Sequence, residues 1–175
     1  MIWRIAHRAH PVAVKIADRH YNRQKPGTPQ FVPPGRCVVL LSRLMDALWV
    51  TSWPFKEYTK HRWAGAWVNS CFRKEGSGVA SEMIRDAIAV TRNKWHFPCI
   101  ATPTGDCSMV TFIDPKKVRP TMRRGIPTFG YSYLKTGFRC VGTTQGGLLA
   151  FQLLQTEMPP ACPVLRGDLF DGLDA

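Results

Sequence analysis

Residues 63–92 read WAGAWVNSCFRKEGSGVASEMIRDAIAVTR, and this stretch decides the fold. Its first part, from Trp63 to Phe72, is apolar and β-prone, as is typical of a strand. Gly76 and Gly78 then mark a turn. A helix is expected from about Val79 to Arg92, because its apolar residues form one stripe at helical spacing: Val79, Met83, Ile84, Ala87 and Ile88. A strand, a glycine turn and a helix in this order predict an α/β domain.

The flanking segments extend this unit into one domain. We expect a helix at 11–21, a loop at 22–35, strands at 37–41, 47–53, 109–113, 138–142 and 148–154, and a short helix at 131–136 that Gly137 stops. Short links between neighbouring strands predict antiparallel hairpins. The predicted fold class is α/β, with a mixed, mostly antiparallel central sheet flanked by helices. Residues 1–156 form this domain, and residues 157–175 form a Pro-rich, then acidic tail.

The charge of the chain indicates its class of partner. There are 24 basic and 12 acidic residues, for a formal net charge of +12. Such an excess attracts polyanions, so nucleic acid is the leading candidate, while a merely solvated basic surface is the alternative. No apolar stretch reaches the length of a membrane span, and the start does not resemble a secretory signal. We therefore expect a soluble intracellular protein with no membrane partner.

The six cysteines are expected to be reduced and mostly buried thiols. They are Cys37, Cys71, Cys99, Cys107, Cys140 and Cys162, without a close C-x-x-C pair. A zinc site and a disulfide framework are alternatives that this spacing does not favour.

Three segments carry residues suited to chemistry. The turn with Arg73, Gly76 and Gly78 precedes a helix, where free amide groups bind anions such as pyrophosphate. His20 and Tyr21 end the first predicted helix, and an imidazole beside a phenol is able to move protons. Asp114 follows a strand at the carboxyl edge of the sheet, where α/β proteins place ligands. For each segment, a purely structural role is the alternative.

The order of these elements from about Cys37 to Leu154 resembles the GNAT acyltransferase superfamily. In that family, an R/Q-x-x-G-x-G/A turn holds the pyrophosphate of acetyl-coenzyme A, and here it corresponds to residues 73–78. Residues 133–138, YLKTGF, look like the aromatic-x-x-x-Gly-Phe segment of the family. The resemblance implies a GNAT-like fold, with Arg73, Gly76 and Gly78 as the cofactor-binding residues.

A narrower resemblance is to the Mom DNA-modification proteins of bacteriophages. It rests on His20-Tyr21, Ser81-Glu82, Ile113-Asp114-Pro115 and the segment 133–143. That family has a GNAT-like fold and attaches a carbamoylmethyl group to the exocyclic amine of adenine in DNA. Carried over, its functional residues fall on His20, Tyr21, Ser81, Asp114 and Tyr133, with Tyr131 as an alternative to Tyr133. A phage-encoded chain would act in the cytoplasm of its bacterial host.

This resemblance implies an enzyme that modifies a base of DNA. Asp114 or His20 is the candidate proton acceptor, and Tyr21 or Tyr133 the candidate donor. Alternatively, His20, Tyr21 and Asp114 bind one iron ion through a mixed N/O set. Basic residues of the loops would contact phosphates: Arg23, Lys25, Arg36, Lys116, Lys117, Arg119, Arg123 and Arg124. A homodimer is left open.

Two other functions compete with DNA modification. The first is a conventional acetyl-coenzyme A N-acyltransferase that acts on a small amine or a peptide. The second is a nucleic-acid-binding module without catalysis, which explains the charge but gives no role to His20, Tyr21 and Asp114.

Overall fold

The computed structural model describes residues 2–59, 61–95 and 108–164. The strands are β1 (Trp3–Ala6), β2 (Gly35–Ser42), β3 (Ala47–Pro54), β4 (Trp67–Lys74), β5 (Ser108–Ile113), β6 (Thr121–Arg123), β7 (Ile126–Thr128), β8 (Arg139–Thr143) and β9 (Leu149–Leu154). The helices are α1 (Pro11–Asp18), α2 (Ala80–Trp95) and α3 (Tyr131–Leu134), and short 3₁₀ turns lie at Lys56–Tyr58 and Gln155–Glu157.

Seven strands form one sheet in the order β1-β2-β3-β4-β5-β9-β8, and β6 and β7 form a separate hairpin. Within the described ranges, β4 and β5 pair in parallel and every other neighbouring pair is antiparallel. The prediction of an α/β fold with a mixed, mostly antiparallel sheet is therefore confirmed.

Helices cover both faces of the large sheet. The apolar stripe of α2, with Met83, Ile84, Ala87 and Ile88, packs with Trp49 and other buried side chains of one face. On the opposite face, Ala13, Ile16 and Ala17 of α1 pack against Val39, Leu41, Leu48 and Val50. Residues of β2 and β3 therefore alternate between two helix-covered layers.

Several predicted elements were correct in kind but shifted in position. Helix α1 begins at Pro11, where the Nδ1 atom of His10 accepts the amide of Val12 at 3.2 Å, but it ends at Asp18 rather than at 21. Because the chain turns there, His20 and Tyr21 lie beyond the helix. Strand β4 spans 67–74 instead of 63–72, and α2 extends to Trp95.

The sequence interpretation missed three strands. Strand β1 is only four residues long, and it pairs with β2 at the edge of the sheet. Strands β6 and β7 lie between the predicted strand at 109–113 and the predicted helix at 131–136, where the sequence indicated only loop residues, several of them basic. Three-residue strands are too short for an alternating pattern to reveal them.

The predicted tail begins as a packed segment. Met158 is buried, and the side chain of Arg92 donates to the carbonyl oxygens of Met158 and Pro159 at 3.0 and 2.6 Å. Residues 157–164 are thereby held against α2. The acidic end, at 165–175, lies outside the described residues.

Candidate functional site

The candidate site is a gap between the two parallel strands. Strands β4 and β5 pair only from Trp67–Met109 to Asn69–Thr111, although β4 continues to Lys74. The pairing of β3 with β4 skips Ser70, because Val50 lies opposite Cys71 and Thr51 lies opposite Asn69. This bulge bends β4 at the point where its pairing with β5 ends, and the strands separate beyond it.

A cavity of about 220 Å³ occupies the gap. Side chains from both faces of the sheet line it, among them His20, Tyr21, Asn69, Cys71, Phe112 and Tyr133. A second cavity of about 210 Å³ adjoins it and shares His20, Asn69, Ser70, Cys71 and Phe112. The structure therefore brings three of the five predicted catalytic residues together: His20, Tyr21 and Tyr133.

Asn69 organises the gap, and the sequence interpretation missed it. Its side-chain amide donates to the carbonyl oxygens of Val50 and Cys71 at 3.0 and 3.1 Å, which satisfies the backbone at the bulge. Its Oδ1 atom accepts the hydroxyl of Tyr133 at 2.5 Å. The available signal was the polar pair Asn69-Ser70 inside an apolar strand, which is typical of a bulge.

Tyr133 reaches the cavity from α3. Gly130 precedes this helix with a φ of +64°, and a Cβ atom there would lie 2.8 Å from Phe151 and 2.9 Å from Ile113. Glycine therefore permits the close approach that positions α3. The ring of Tyr133 packs edge-on against Phe138, with centroids 5.2 Å apart. Burial raises the pKa of the Tyr133 phenol far above its usual value, so it stays a hydrogen-bond donor.

His20 and Tyr21 approach from the turn after α1. Their ring centroids are 4.5 Å apart. The Nδ1 atom of His20 accepts the amide of Asn22 at 3.3 Å, which assigns the proton of the neutral ring to Nε2. Burial and the neighbouring Arg73 lower the pKa of His20 to about 4, so the imidazole is neutral at neutral pH. The Tyr21 hydroxyl donates to the carbonyl oxygen of Phe112 at 3.4 Å, and burial raises its pKa.

Asp114 lies beside the cavity and does not line it. Its Oδ1 atom accepts the amide of Lys116 at 2.9 Å, and Oδ2 lies 3.9 Å from the Nζ atom of Lys117. The carboxylate is close enough to Tyr21 to raise the pKa of that phenol, after the larger effect of burial. Asp114 is therefore a neighbour of Tyr21, turned towards its own loop.

Ser81 and the glycine turn lie outside both cavities. Ser81 is in the first turn of α2, partly exposed. A Cβ atom added to Gly76 would lie 1.6 Å from Oδ2 of Asp46, so the carboxylate occupies the space beside this glycine. The Nζ atom of Lys74 donates to the carbonyl oxygen of Gly76 at 2.5 Å.

Arg73 is likewise held by the protein's own groups. Its Nε atom donates to Oε1 of Glu75 at 2.6 Å, and its guanidinium donates to the carbonyl oxygen of Arg19 at 2.7 Å. Arg19 pairs with the same Glu75 carboxylate. The chain's own groups therefore occupy Arg73 and the space beside Gly76, whereas Gly78 lines a separate cavity of about 440 Å³ together with Ser77 and Val79.

Seven of the eight predicted phosphate-contacting residues are exposed, and the eighth, Arg23, is not. Arg119 lines the first cavity, and four basic residues are exposed in the segment that follows β5: Lys116, Lys117, Arg123 and Arg124. Lys25 and Arg36 are exposed but line neither cavity, and Arg36 lies 5.5 Å from the ring centroid of Trp53.

Arg23 has an internal role instead of the predicted phosphate contact. Its side chain is 6% exposed, and its Nε atom pairs with Asp18 at 2.8 Å. The guanidinium also donates to the carbonyl oxygens of Gln30, at 2.5 Å, and Thr28. Arg23 therefore holds the loop after α1 in place, because its donors already have partners inside the protein.

The iron alternative does not fit the arrangement of these side chains. The candidate set of His20, Tyr21 and Asp114 would need the carboxylate of Asp114 to leave the amide of Lys116 and turn towards the cavity.

The cysteines that the structure describes are unpaired, and two of them are exposed. Cys140 and Cys162 lie at the surface, which corrects the expectation of mostly buried thiols. Burial raises the pKa of Cys71, in the cavity wall, to about 12, so it is no candidate nucleophile at neutral pH. Cys99 and Cys107 lie outside the described residues.

A third cavity opens on the same face as α1. It measures about 770 Å³ and lies between His61, Trp63 and Phe112 on one side and the residues 141–146 on the other. Phe112 also lines the first two cavities.

Fold and site together define an α/β protein with a polar and aromatic cavity between splayed parallel strands. Comparisons of the chain with protein-family models, curated proteins and solved structures found no match. In the described ranges, no helix is both long and apolar enough to span a bilayer. DNA binding and a homodimer stay predictions.

Proposed function

We propose that this chain is a transferase that attaches a carbamoylmethyl-like group to the exocyclic amine of adenine in DNA. One observation carries the proposal: His20, Tyr21 and Tyr133, from separate parts of the sequence, line one cavity together with a basic residue, Arg119. Convergence of titratable groups with shifted pKa values in a cleft is typical of catalytic sites.

We assign the fold to the GNAT type on two features. A strand, glycine turn and helix run from β4 to α2, and the segment Tyr133–Phe138 joins α3 to β8. The sequence resemblance implies both features. The splay of β4 and β5 adds a cavity at the carboxyl end of two parallel strands, the usual place for ligands in α/β sheets.

In the proposed reaction, the exocyclic nitrogen attacks the electrophilic carbon of the donor. An N–C bond forms, and the bond between that carbon and its leaving group breaks. The proton lost by the amine goes to Nδ1 of His20, once this atom leaves the amide of Asn22, or to Asp114, once its carboxylate turns from Lys116 towards the cavity. The neutral phenol of Tyr21 or Tyr133 donates a proton or a hydrogen bond to the leaving group. Asn69 positions Tyr133 through their 2.5 Å hydrogen bond.

DNA is favoured as the substrate because of the charge around the cavity. Arg119 lines it, and Lys116, Lys117, Arg123 and Arg124 are exposed in the adjacent segment. Contacts of such residues with phosphates make binding fall with salt. A base within a duplex hides its exocyclic amine, so the target base has to leave the stack to reach a cavity between two strands.

The conventional coenzyme A enzyme is less well supported. Asp46 fills the space beside Gly76, and the side chain of Arg73 is hydrogen-bonded to Glu75. Two carboxylates at this turn oppose the binding of a pyrophosphate. Calorimetry with coenzyme A tests this alternative directly, and tight binding that Gly76→Ala abolishes would favour it.

The proposed function is tested by mass spectrometry of nucleosides from the DNA of cells that express the chain. We expect a new adenine adduct that falls about 100-fold in Tyr21→Phe and in Tyr133→Phe, because each loses a proton donor. Tyr58→Phe is the matched control, since Tyr58 is exposed in a 3₁₀ turn and should leave the adduct unchanged.

A nucleoside profile that well-expressed, folded protein leaves unchanged would contradict the proposal. If that protein also binds DNA, the non-catalytic module becomes the better account.

A further inference from the structure

The small hairpin of β6 and β7 projects beside the candidate site. Its strands pair Thr121 with Thr128, Met122 with Pro127 and Arg123 with Ile126. Arg124 and Gly125 connect them with φ values of +47° and +81°. Two central residues with positive φ make the tight two-residue turn of a stable hairpin. The result is a narrow protrusion with a defined tip.

One face of this hairpin is turned towards the cavity. Thr121 and Thr128 line the cavity wall. Side chains of directly opposed residues share a face, and faces alternate along a strand, so Arg123 and Ile126 lie on the same side as these threonines. The guanidinium of Arg123 lies 4.5 Å from the ring centroid of Tyr131, which also lines the cavity. This contact holds the tip against the start of α3.

The tip is apolar and basic at once. Ile126 is 66% exposed and Met122 is 61% exposed, although both are large hydrophobic side chains. Arg123 and Arg124 are exposed next to them. Exposed side chains of this kind add little to the stability of a two-stranded hairpin. Exposed apolar groups surrounded by charged residues are typical of an interaction site. Arginines beside apolar side chains favour a partner that is negatively charged outside and apolar inside. A nucleic-acid duplex has this character, because its phosphates surround stacked bases.

We propose that the hairpin Thr121–Thr128 is an insertion wedge for duplex DNA. Ile126 enters the base stack and fills the space of the adenine that moves into the cavity, while Arg124 contacts a flanking phosphate. Apolar wedges of this size unstack base steps in other DNA-binding proteins. The inference rests on the proposed function and narrows its substrate to double-stranded DNA whose target base is extruded.

The test measures base extrusion without any donor molecule. Purified full-length protein is titrated into duplexes that carry one 2-aminopurine opposite thymine, with randomised flanking bases, because 2-aminopurine brightens when it leaves the stack. We expect the wild-type chain to raise the fluorescence and Ile126→Ala to reduce that gain about ten-fold. Binding, followed by anisotropy, should change less than about two-fold, because Arg124 and the other cations remain.

Three further measurements separate a wedge from a general defect. Ile126→Leu keeps the apolar bulk and should behave like the wild type. Leu44→Ala removes another exposed leucine-sized side chain, 78% exposed in the β2–β3 link, and should have no effect. With 2-aminopurine opposite cytosine, the base leaves the stack more easily, so the defect of Ile126→Ala should shrink to about two-fold.

The wedge proposal is contradicted if the Ile126→Ala variant extrudes 2-aminopurine opposite thymine as well as the wild type does. It is also contradicted if the wild type never raises the fluorescence. Failure of the proposed function looks different. In that case no adduct forms in cells, yet the wild type still extrudes 2-aminopurine and Ile126→Ala does not.

Discussion

The glycine turn and the gap between β4 and β5 lie next to each other along one strand, and they differ in what fills them. The turn carries the motif Arg73-x-x-Gly76-x-Gly78, yet Asp46 lies against Gly76 and Glu75 pairs with Arg73, which leaves only Gly78 beside a cavity. The gap is built from several separate stretches of sequence, and it is open and lined by an imidazole and two phenols. A motif indicates what a backbone can bind, whereas neighbouring side chains decide whether the position is available.

The two regions also differ in their hydrogen bonds. At the turn, Glu75 receives hydrogen bonds from Arg19 and Arg73 at 2.5 to 2.7 Å. At the gap, the hydroxyl of Tyr133 donates to Asn69 at 2.5 Å, but His20 and Tyr21 have longer hydrogen bonds, at 3.3 and 3.4 Å. Groups that are weakly engaged by the protein can exchange their partners for a ligand at lower cost.

Among the substitutions that test this comparison, Asn69→Ala should cause the largest loss of stability, because it removes the side chain that supports the gap. The substitution leaves the carbonyl oxygens of Val50 and Cys71 and the hydroxyl of Tyr133 without their partner. We expect a loss of about 3 kcal/mol in the free energy of unfolding, because each buried unsatisfied group costs roughly 1–3 kcal/mol.

The measurement is the urea midpoint, with Asn93→Ala on α2 as the matched control. That variant should change the free energy of unfolding by less than about 0.5 kcal/mol, because Asn93 is partly exposed and alanine favours helices. Equal stability of the two variants would mean that the gap does not depend on Asn69.

Gly76→Ala tests whether the turn is filled by the protein. Its Cβ atom would meet Oδ2 of Asp46, and we expect a loss of about 2 kcal/mol. Adding Asp46→Ala should restore part of that loss, which a double-mutant cycle measures. Gly146→Ala is the control, since its nearest neighbour would be 3.9 Å away. If the turn instead binds an anion, Gly76→Ala should weaken anion binding and leave the stability unchanged. Adding Asp46→Ala should then restore nothing.

The stability of the protein should decrease below pH 6.5, in part because of His20. Burial and Arg73 lower its pKa from 6.5 to about 4, so the unfolded chain binds this proton first as the pH falls. The stabilisation is complete above the unfolded pKa of 6.5 and is lost as the pH falls towards 4. Allowing for partial exposure, we expect on the order of 1 kcal/mol from this group.

His20→Gln should flatten the pH dependence of the free energy of unfolding between pH 6.5 and 4.5. Burial also lowers the pKa of His61, so His61→Gln is the matched comparison in the same pH window. An identical pH profile for His20→Gln and the wild type would show that the ring is solvated rather than part of the cavity wall.

Much of the fold was predictable because local physics determines it. The stripe of Met83, Ile84, Ala87 and Ile88 required a helix with one buried face, and the short link from Ser42 to Ala47 required a hairpin. Register changes inside a strand were not predictable, since the bulge at Ser70 depends on the pairing partner. The end of α1 at Asp18 was missed for a similar reason: Arg23 and Asp18 hold the following turn through their ion pair.

By itself, the sequence determined the α/β class, the mostly antiparallel sheet, the positive charge and the residue types available for proton transfer. Only the tertiary structure decided which of them meet. It brought His20, Tyr21 and Tyr133 to one cavity, turned Asp114 towards Lys116, and placed Asp46 against Gly76. The physical reason is that periodicity and turn propensity act over a few residues, whereas a cavity arises where distant segments fail to pair and pack.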